Sequence, residues 1–285
     1  MEPSLEEIFG SYMPYKITEN TWVISFMGGT EYMYLLEGEE KALLIDTGYG
    51  VGNLREFVEK LTDKPILVTN THFHPDHSAG NGEFEEVMVA KDWEIDAPSV
   101  YADGQIPFDI SRLPYPNYRK VIIKDGDVID LGNRSIKVLD VLPAHCNSSL
   151  FFYDKENNMI FVGDEIEAAQ VNMFDNSCNP NAPYEINSRL KNMKKNCERV
   201  KSLNPRYILP NHNGTPIAVS YLEDFIGLID GIYSGKSKIE DKLNHKYIEM
   251  DPKAPTLCRV RYGKASIFIN KKLLMSVYGN NNSLD

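Results

Sequence analysis

A short segment rich in histidine and aspartate is the strongest chemical feature of this chain. Residues 69–80 read Thr-Asn-Thr-His-Phe-His-Pro-Asp-His-Ser-Ala-Gly and hold three of the six histidines of the sequence. Neutral imidazole and carboxylate groups are ligands of zinc and similar divalent cations. Clustered side chains of these types are unfavourable to bury unless a metal or polar partners compensate them. We therefore predict a metal site here rather than a helix cap or a surface loop. Its candidate ligands are His72, His74, Asp76 and His77.

More candidate ligands follow apolar, strand-like runs elsewhere in the chain. The runs cover residues 43–45, 136–142, 159–163 and 207–209, and their branched and aromatic residues are typical of buried strands. The polar residues that follow them are Asp46, His145, Asp164 and His212. Any one of these alone would be an ordinary turn residue, but the ends of several strands can converge at one edge of a sheet. The candidate ligands of these two paragraphs include five of the six histidines, and we expect the sixth, His245, to lie on the surface.

In these motifs, from Asp46 to His212, the sequence resembles the metallo-β-lactamase superfamily. The resemblance implies an α/β fold, a four-layer αββα sandwich, with two metal ions at one edge of the paired sheets. Matched by position to the family's motifs, one metal would be held by His72, His74 and His145, the other by Asp76, His77 and His212, with Asp164 bridging both. Asp46 would be a buried residue that orders the ligand loops.

Two motifs depart from the common family pattern. Where the family often has Gly-His-Thr, this chain has Ala144-His145-Cys146, and where it often has Pro-Gly-His, this chain has Pro210-Asn211-His212. Neither departure removes a ligand, so both leave the predicted metal site intact. They argue against a close analogy in substrate.

The ligand set suggests the chemistry. Nitrogen and oxygen donors without a thiolate suit zinc, with manganese or iron as alternatives. Two cations about 3.5–4 Å apart can share a hydroxide and lower its pKa towards neutrality, and this hydroxide would attack a carbonyl carbon. Asp76 would also be catalytic, by holding or passing on the proton. We predict a hydrolase of a small ester, thioester or lactone. The alternatives are a β-lactamase-like amide hydrolase and a metal-containing metabolite-binding protein with little turnover.

Composition narrows the choice of partners. The formal net charge of the 285 residues is −11, which argues against nucleic acid because a phosphate backbone requires basic tracts. No run approaches the roughly 20 apolar residues of a membrane span, and the first residues lack the features of a signal peptide. The four cysteines show no paired spacing, so we expect free thiols in a cytoplasmic protein that acts on a small molecule.

The ligands are spread over most of the chain, so we predict a single domain over residues 1–285. The pattern of apolar residues and turns predicts strands over 21–27, 31–36, 41–46, 121–124, 127–131, 134–141, 149–153, 158–163, 257–262 and 265–270, a strand with the ligand loop over 65–77, and helices over 52–61, 184–200 and 219–233. Residues 219–278 would form a helical and hairpin extension. We expect the extreme C-terminus, from 279, to be frayed.

Two segments are candidates for the substrate pocket. Residues 97–118, between two metal motifs, have the composition of an inserted lid, and residues 165–183 follow Asp164 directly. Their aromatic and methionine side chains would suit an apolar acyl group or ring. These are Tyr101, Phe108, Tyr115, Tyr118, Met173 and Phe174. An equal alternative is that the segments pack over the core or form a homodimer contact.

Overall fold

A seven-stranded mixed sheet forms the first half of the computed structural model, which describes residues 12–26, 28–93, 118–173, 185–240 and 257–281. The strands lie side by side in chain order. The first four are antiparallel, and the pairs from β4 to β7 are parallel. The strands are β1 Met13–Thr18, β2 Thr21–Phe26, β3 Glu31–Glu37, β4 Ala42–Ile45, β5 Ile66–Thr69, β6 Glu86–Ala90 and β7 Arg119–Ile123. The predicted strands over 21–46 are confirmed.

Two further sheets follow in the second half. Their strands are β8 Val128–Asp130, β9 Ser135–Asp140, β10 Leu150–Asp154, β11 Met159–Gly163, β12 Val171–Met173, β13 Tyr207–Pro210, β14 Lys238–Glu240, β15 Leu257–Tyr262 and β16 Ala265–Asn270. The second sheet has the order β13-β11-β10-β9-β8, and the third has the order β12-β16-β15-β14. The sequence predicted the β15–β16 hairpin, but β12 and β14, of three residues each, were not predicted.

The helices are α1 Leu54–Glu59, α2 Pro75–Ser78, α3 Ile186–Leu203, α4 Ser220–Tyr233 and α5 Lys271–Asn281, and a 3₁₀ turn covers Ala79–Glu83. The helices predicted over 52–61, 184–200 and 219–233 correspond to α1, α3 and α4. Helix α5 was not predicted, and it extends into the part of the C-terminus that we expected to be frayed. None of the described helices is both long and apolar enough to cross a lipid bilayer.

Alternating side chains show how the layers stack. Successive residues of a strand point to opposite faces of its sheet. Leu43 of β4 and Phe152 of β10 meet in a core between the first and second sheets. Leu44 points the other way and packs with α1, while Phe151 packs with α3, α4 and the third sheet on the far side. Helices therefore cover both outer faces, which confirms the predicted αββα sandwich.

A buried arginine joins the two large sheets at the edge where β3 and β10 end. The guanidinium of Arg134 is 2.9 Å and 2.5 Å from Asp154 Oδ2 through Nε and Nη2. It also donates to the carbonyl oxygens of Asn20 and Glu37 and to the Thr21 hydroxyl. A buried ion pair is tolerated when its remaining donors are satisfied in this way. Because β4 and β11 run antiparallel to β3 and β10, the predicted ligands that follow β4 and β11 lie at the opposite edge.

Candidate metal centre

The predicted ligands meet at one edge of the sandwich because of the strand directions. Strands β4 and β5 are parallel, and so are β11 and β13, so the carboxyl ends of each pair lie together. Asp46 follows β4, and the segment from Asn70 to Ser78 follows β5. Asp164 and His212 follow β11 and β13, and His145 lies in the loop after β9. The structure brings all seven predicted ligands into two groups that share Asp164.

The first group consists of His72, His74, His145 and Asp164, whose donor atoms all lie within 4.8 Å of one another. His74 Nδ1 is 3.0 Å from His72 Nε2 and 3.0 Å from His145 Nε2. Asp164 Oδ2 is 3.9 Å from His72 Nε2 and 3.7 Å from His145 Nε2. These separations are close to those between donors on one small cation, since each donor would lie about 2 Å from it.

The second group consists of Asp76, His77, Asp164 and His212. His212 Nε2 is 3.2 Å from His77 Nε2 and 3.2 Å from Asp76 Oδ2. Asp164 Oδ2 is 3.4 Å from the Nε2 atoms of both His77 and His212. The same carboxylate oxygen therefore faces both groups.

Backbone carbonyls fix the rings of two ligands. His145 donates from Nδ1 to the carbonyl of Asn172 over 2.8 Å, and His212 donates from Nδ1 to the carbonyl of Thr30 over 2.6 Å. Each of these bonds leaves the Nε2 lone pair pointing into its group. Such a bond to the second ring nitrogen sets both the tautomer and the orientation of a metal-binding imidazole.

Asp46 holds the first ligand segment in place. Its carboxylate accepts hydrogen bonds from the Thr71 backbone N–H at 2.6 Å, from the Thr71 hydroxyl at 2.8 Å and from His77 Nδ1 at 3.1 Å. A further bond, of 2.7 Å, comes from the side-chain amide of Asn211, which also donates to the carbonyl of Tyr32 at 2.7 Å. Asn211, which stands where the family often has glycine, thus joins the two sheets beside the centre.

Glu165 performs a similar task for the loop that carries His145. Its carboxylate accepts hydrogen bonds from the backbone N–H groups of His145 and Cys146 at 3.1 Å and 3.2 Å, and from the Ser149 hydroxyl at 2.7 Å. Arg189 of α3 donates to the carbonyl of Ala144 on the same loop. The loop is therefore anchored to both Glu165 and helix α3.

The two groups differ in their electrostatics. Burial lowers the pKa of His72 well below its ordinary value, and burial and His145 lower the pKa of His74 to about 4. Burial also works to lower the pKa of His77 and His212, but in both cases Asp164 and Asp76 outweigh it and raise the pKa well above the ordinary value. In the absence of metal, the second group therefore holds protons more strongly than the first.

Two buried glutamates beside the second group were not anticipated from the sequence. Neither Glu31 oxygen, and only one Glu167 oxygen, has a hydrogen-bond partner among the described residues; the bonded one accepts from Asn213. Burial raises the pKa of both carboxyls well above the ordinary value, with further repulsion from Asp76 on Glu31 and from Asp164 on Glu167. Local sequence predicts burial of a carboxylate at neither position, because Glu31 is the first residue of a strand, directly after a turn, and Glu167 stands in a loop.

The donor set fits divalent cations. Asp164 Oδ1 is buried without a hydrogen-bond partner among the described residues. Because Oδ2 of Asp164 already faces both groups, Oδ1 is a second oxygen of the shared carboxylate that could also bind a cation. Buried polar groups in this condition are rare unless a ligand or ion satisfies them. Three imidazoles with one carboxylate, and two imidazoles with two carboxylates, are ligand sets typical of zinc, manganese or iron.

The predicted pocket residues lie in different surroundings. Met173 is fully buried in the core beneath the third sheet, and Tyr118 packs on the outer side of the first sheet. Tyr101, Phe108, Tyr115 and Phe174 lie outside the described residues, as does most of the predicted lid. The three described cysteines, Cys146, Cys197 and Cys258, are buried, and none forms a disulfide with another described residue.

Comparisons with known proteins agree with the geometry of the centre. The family model for the metallo-beta-lactamase superfamily matches residues 27–217. The chain is 28% identical over 223 residues to the acyl-coenzyme A thioesterase MBLAC2 of Homo sapiens, an alignment that covers 66% of this chain and 75% of that protein. It is 32% identical over 139 residues to the hydroxyacylglutathione hydrolase of Hyphomonas neptunium, covering 48% of each chain.

Solved structures show the same fold. A metallo-beta-lactamase from Pontibacter korlensis matches with a TM-score of 0.57 and 16% identity, covering 77% of this chain and 99% of that one. A beta-lactamase domain protein from Burkholderia ambifaria matches with a TM-score of 0.58 and 19% identity, covering 78% of this chain and 77% of that one. At these identities the likeness concerns the fold alone.

Proposed function

From the premise that the chain belongs to the metallo-β-lactamase superfamily, we propose that it is a hydrolase of acyl thioesters that works with two divalent cations. The observation that carries the proposal is the position of Asp164, whose Oδ2 faces both donor groups. His72, His74 and His145 would complete the position of one cation. Asp76, His77 and His212 would complete the other. Zinc is the first choice of metal, with manganese or iron as alternatives.

When bound, the cation pair supplies Lewis-acid activation of a water molecule and of the substrate carbonyl. The residues of the chain supply orientation and proton handling. Asp76 is half-buried at the mouth of the second group, and Oδ2 is its ligand atom, 3.5 Å from His77 Nε2 and 3.2 Å from His212 Nε2. His77 and His212 hold the pKa of Asp76 well below the ordinary value, against the effect of burial. As a ligand Asp76 would be ionised, and the second oxygen of its carboxylate, Oδ1, would accept a hydrogen bond from the attacking water and so orient it and hold its proton.

The substrate class is suggested by the relatives. The human and Hyphomonas relatives are named for hydrolysis of acyl compounds of coenzyme A and of glutathione. In both compounds the acyl group is joined to a sulfur atom. The alignment with the first of them covers two thirds of this chain, so an acyl-coenzyme A substrate is preferred. A small-molecule thioester also agrees with the net charge of −11, which disfavours nucleic acid.

A reducing compartment such as the cytoplasm is part of this proposal. Cys146, Cys197 and Cys258 are all buried, and none forms a disulfide with another described residue. Oxidising compartments favour disulfides, so buried cysteines that are not cross-linked to one another are more typical of a reduced environment. Release of a thiol product, such as coenzyme A or glutathione, is also compatible with such an environment.

The experiment that tests the function is a hydrolysis panel on protein of known metal content. Acyl-coenzyme A, acyl-glutathione, a lactone, an aryl ester and a cephalosporin would be offered to the wild type and to variants His72→Ala and Asp164→Asn. Glu59→Gln, an exposed change on α1, is the matched control. We expect thioester cleavage that is lost with a chelator, restored by zinc or manganese, and lost in both site variants.

Two outcomes would contradict the proposal. Preferred cleavage of the cephalosporin would identify an amide hydrolase of the β-lactamase type instead. No cleavage of any substrate, by protein shown to hold two cations per chain, would instead support a metabolite-binding protein with little turnover.

A further inference from the structure

A polar patch lies between the ligands His145 and His212. Asn172 forms one end, because its carbonyl accepts the 2.8 Å hydrogen bond from His145 Nδ1. Asn213, the residue after His212, forms the other end and donates to the carbonyl of Gln170 at 3.4 Å. Gln170 connects them, because its side-chain amide donates to Asn172 Oδ1 at 3.2 Å. The patch therefore borders both donor groups on the side of the third sheet.

Arg259 of β15 supplies the positive charge of this patch. Its Nε donates to Gln170 Oε1 over 2.9 Å. Three consecutive hydrogen-bonded contacts, through Gln170 and Asn172, thus connect the guanidinium to His145. Residues 170 and 172 are half-buried, as is Arg259 itself, so the patch lies at the surface rather than in the core.

The charge of Arg259 is only partly offset within the part of the chain that the structure describes, because Glu240, which lies opposite it on β14, also pairs with Lys238 and Arg261. Its neighbour on the strand, Arg261, has an acidic partner, since Arg261 Nε is 3.4 Å from Glu240 Oε2. Arg259 forms no ion pair with any described residue, and its one hydrogen bond there uses Nε. Among the described residues the two terminal nitrogens bind no partner, and they form a planar pair of donors, the arrangement that binds phosphate or carboxylate in a bidentate manner.

The overall charge of the protein gives a local cation a role in binding an anionic substrate. At a net charge of −11, the average field repels anions. A local cation at the mouth of the centre would offset this repulsion where the substrate enters. Both carriers considered above are anionic, coenzyme A through its phosphates and glutathione through its carboxylates.

We propose that Arg259, held by Gln170, binds an anionic group on the carrier portion of the thioester substrate. The inference rests on the proposed thioesterase function and adds to it a determinant of substrate choice. Phosphate and carboxylate share the chemistry that the guanidinium recognises. The acyl group would lie at the cations, while the carrier extends along the patch towards β15.

The test compares charged and neutral carriers of one acyl group. Wild type, Arg259→Gln, Arg259→Lys and the matched control Arg261→Gln would be assayed with acyl-coenzyme A, acyl-glutathione and the neutral S-acyl-N-acetylcysteamine. We expect Arg259→Gln to raise KM for a charged thioester by about tenfold or more, with kcat unchanged, because a bidentate charge-assisted contact is lost. KM for the neutral thioester should not change, and Arg259→Lys should recover part of the loss.

The two charged substrates distinguish the sources of the anion. A rise in KM for acyl-coenzyme A alone assigns a phosphate, and a rise for acyl-glutathione alone assigns a carboxylate. Equal effects on all three substrates, or no effect on any, would overturn the inference. So would an equal effect of Arg261→Gln, because that would show a general field rather than a specific contact.

A binding measurement separates this inference from the proposed function. The metal-loaded protein would be titrated in a calorimeter with two pairs of thiols, which requires no turnover. One pair is coenzyme A and pantetheine, and the other is glutathione and N-acetylcysteamine. Each pair shares a thiol and differs in its anionic groups. Tighter binding of the charged member that is lost in Arg259→Gln supports the inference even if no thioester is cleaved, a result that would refute only the thioesterase. If charged and neutral members bind equally, Arg259 is not an anion site.

Discussion

Asn211 is predicted to connect the stability of the fold to the affinity of the metal centre. Its amide donates to Asp46 Oδ2 and to the carbonyl of Tyr32, both at 2.7 Å, and the side chain is fully buried. In Asn211→Ala both acceptors lose a donor that water cannot replace. One neutral hydrogen bond and one to a carboxylate contribute about 1 and about 2 kcal/mol, so we expect a loss of about 3 kcal/mol in the free energy of unfolding.

The same change should weaken metal binding. Asp46 orients His77 through Nδ1, and Asn211 carries His212 on the next residue. Loss of a partner that orders metal ligands typically lowers affinity by 10–100-fold. Urea unfolding of the metal-free protein measures the loss of stability, and calorimetric titration with zinc measures the loss of metal affinity. Of the two zinc-binding events, we expect the more pH-dependent one to be weakened.

A control separates the two effects of Asn211→Ala. Asn53 caps α1 by accepting a hydrogen bond from the backbone N–H of Glu56, away from the centre. Asn53→Ala should lower stability by about 1 kcal/mol and leave zinc affinity unchanged. If Asn211→Ala loses stability but binds zinc as tightly as the wild type, then Asn211 supports only the fold and the reasoning about the ligands is wrong.

Three further predictions concern the centre and the opposite edge. Asp164→Asn should reduce metal content, measured by mass spectrometry, from two to at most one cation per chain; two retained cations would contradict the shared carboxylate. Zinc affinity of the second group should rise with pH by up to about 100-fold per unit, because the raised pKa of His77 and His212 makes the metal displace two protons. Calorimetry at pH 6.5 and 8 checks this, and a flat profile would refute it. Arg134→Met should lower stability in urea by about 3–5 kcal/mol, because Asp154 stays buried without its partner, yet zinc affinity should be unchanged.

The sequence places the candidate ligands at one sheet edge because each lies after a short, recognisable strand. Asp46 follows Leu43–Ile45, and Asp164 follows Met159–Gly163, so local patterns and the family motifs gave both the sheet edge and the residues. Strands β12 and β14 could not be predicted in this way, since each is a short strand that pairs with a strand far from it in the sequence, β16 and β15 respectively. Tertiary pairing of this kind leaves little trace in local propensity.

The supporting residues were hidden for a different reason. Glu165 and Glu167 are polar residues on either side of Ile166 in a loop, where the usual expectation for a glutamate is exposure to solvent. Only the folded structure shows that Glu165 collects backbone donors from the His145 loop, and that Glu167 is buried beside the second group. The roles of Asn211 and Arg259 likewise depend on partners far apart in sequence, Asp46 and Gln170.

The arrangement of the ligands also explains where the fold can tolerate departures from the family pattern. Each donor group takes residues from the segment after β5 of the first sheet and from the loops of the second sheet, so a cation in either group would link the two sheets. Arg134 links them at the opposite edge through protein contacts alone. At the metal edge that task falls to Asn211 and to the Tyr34 hydroxyl, which donates to the carbonyl of Pro210. Asn211, where the family often has glycine, thus adds a contact between the sheets beside the donor groups, so protein contacts alone hold the candidate ligands of the two sheets together.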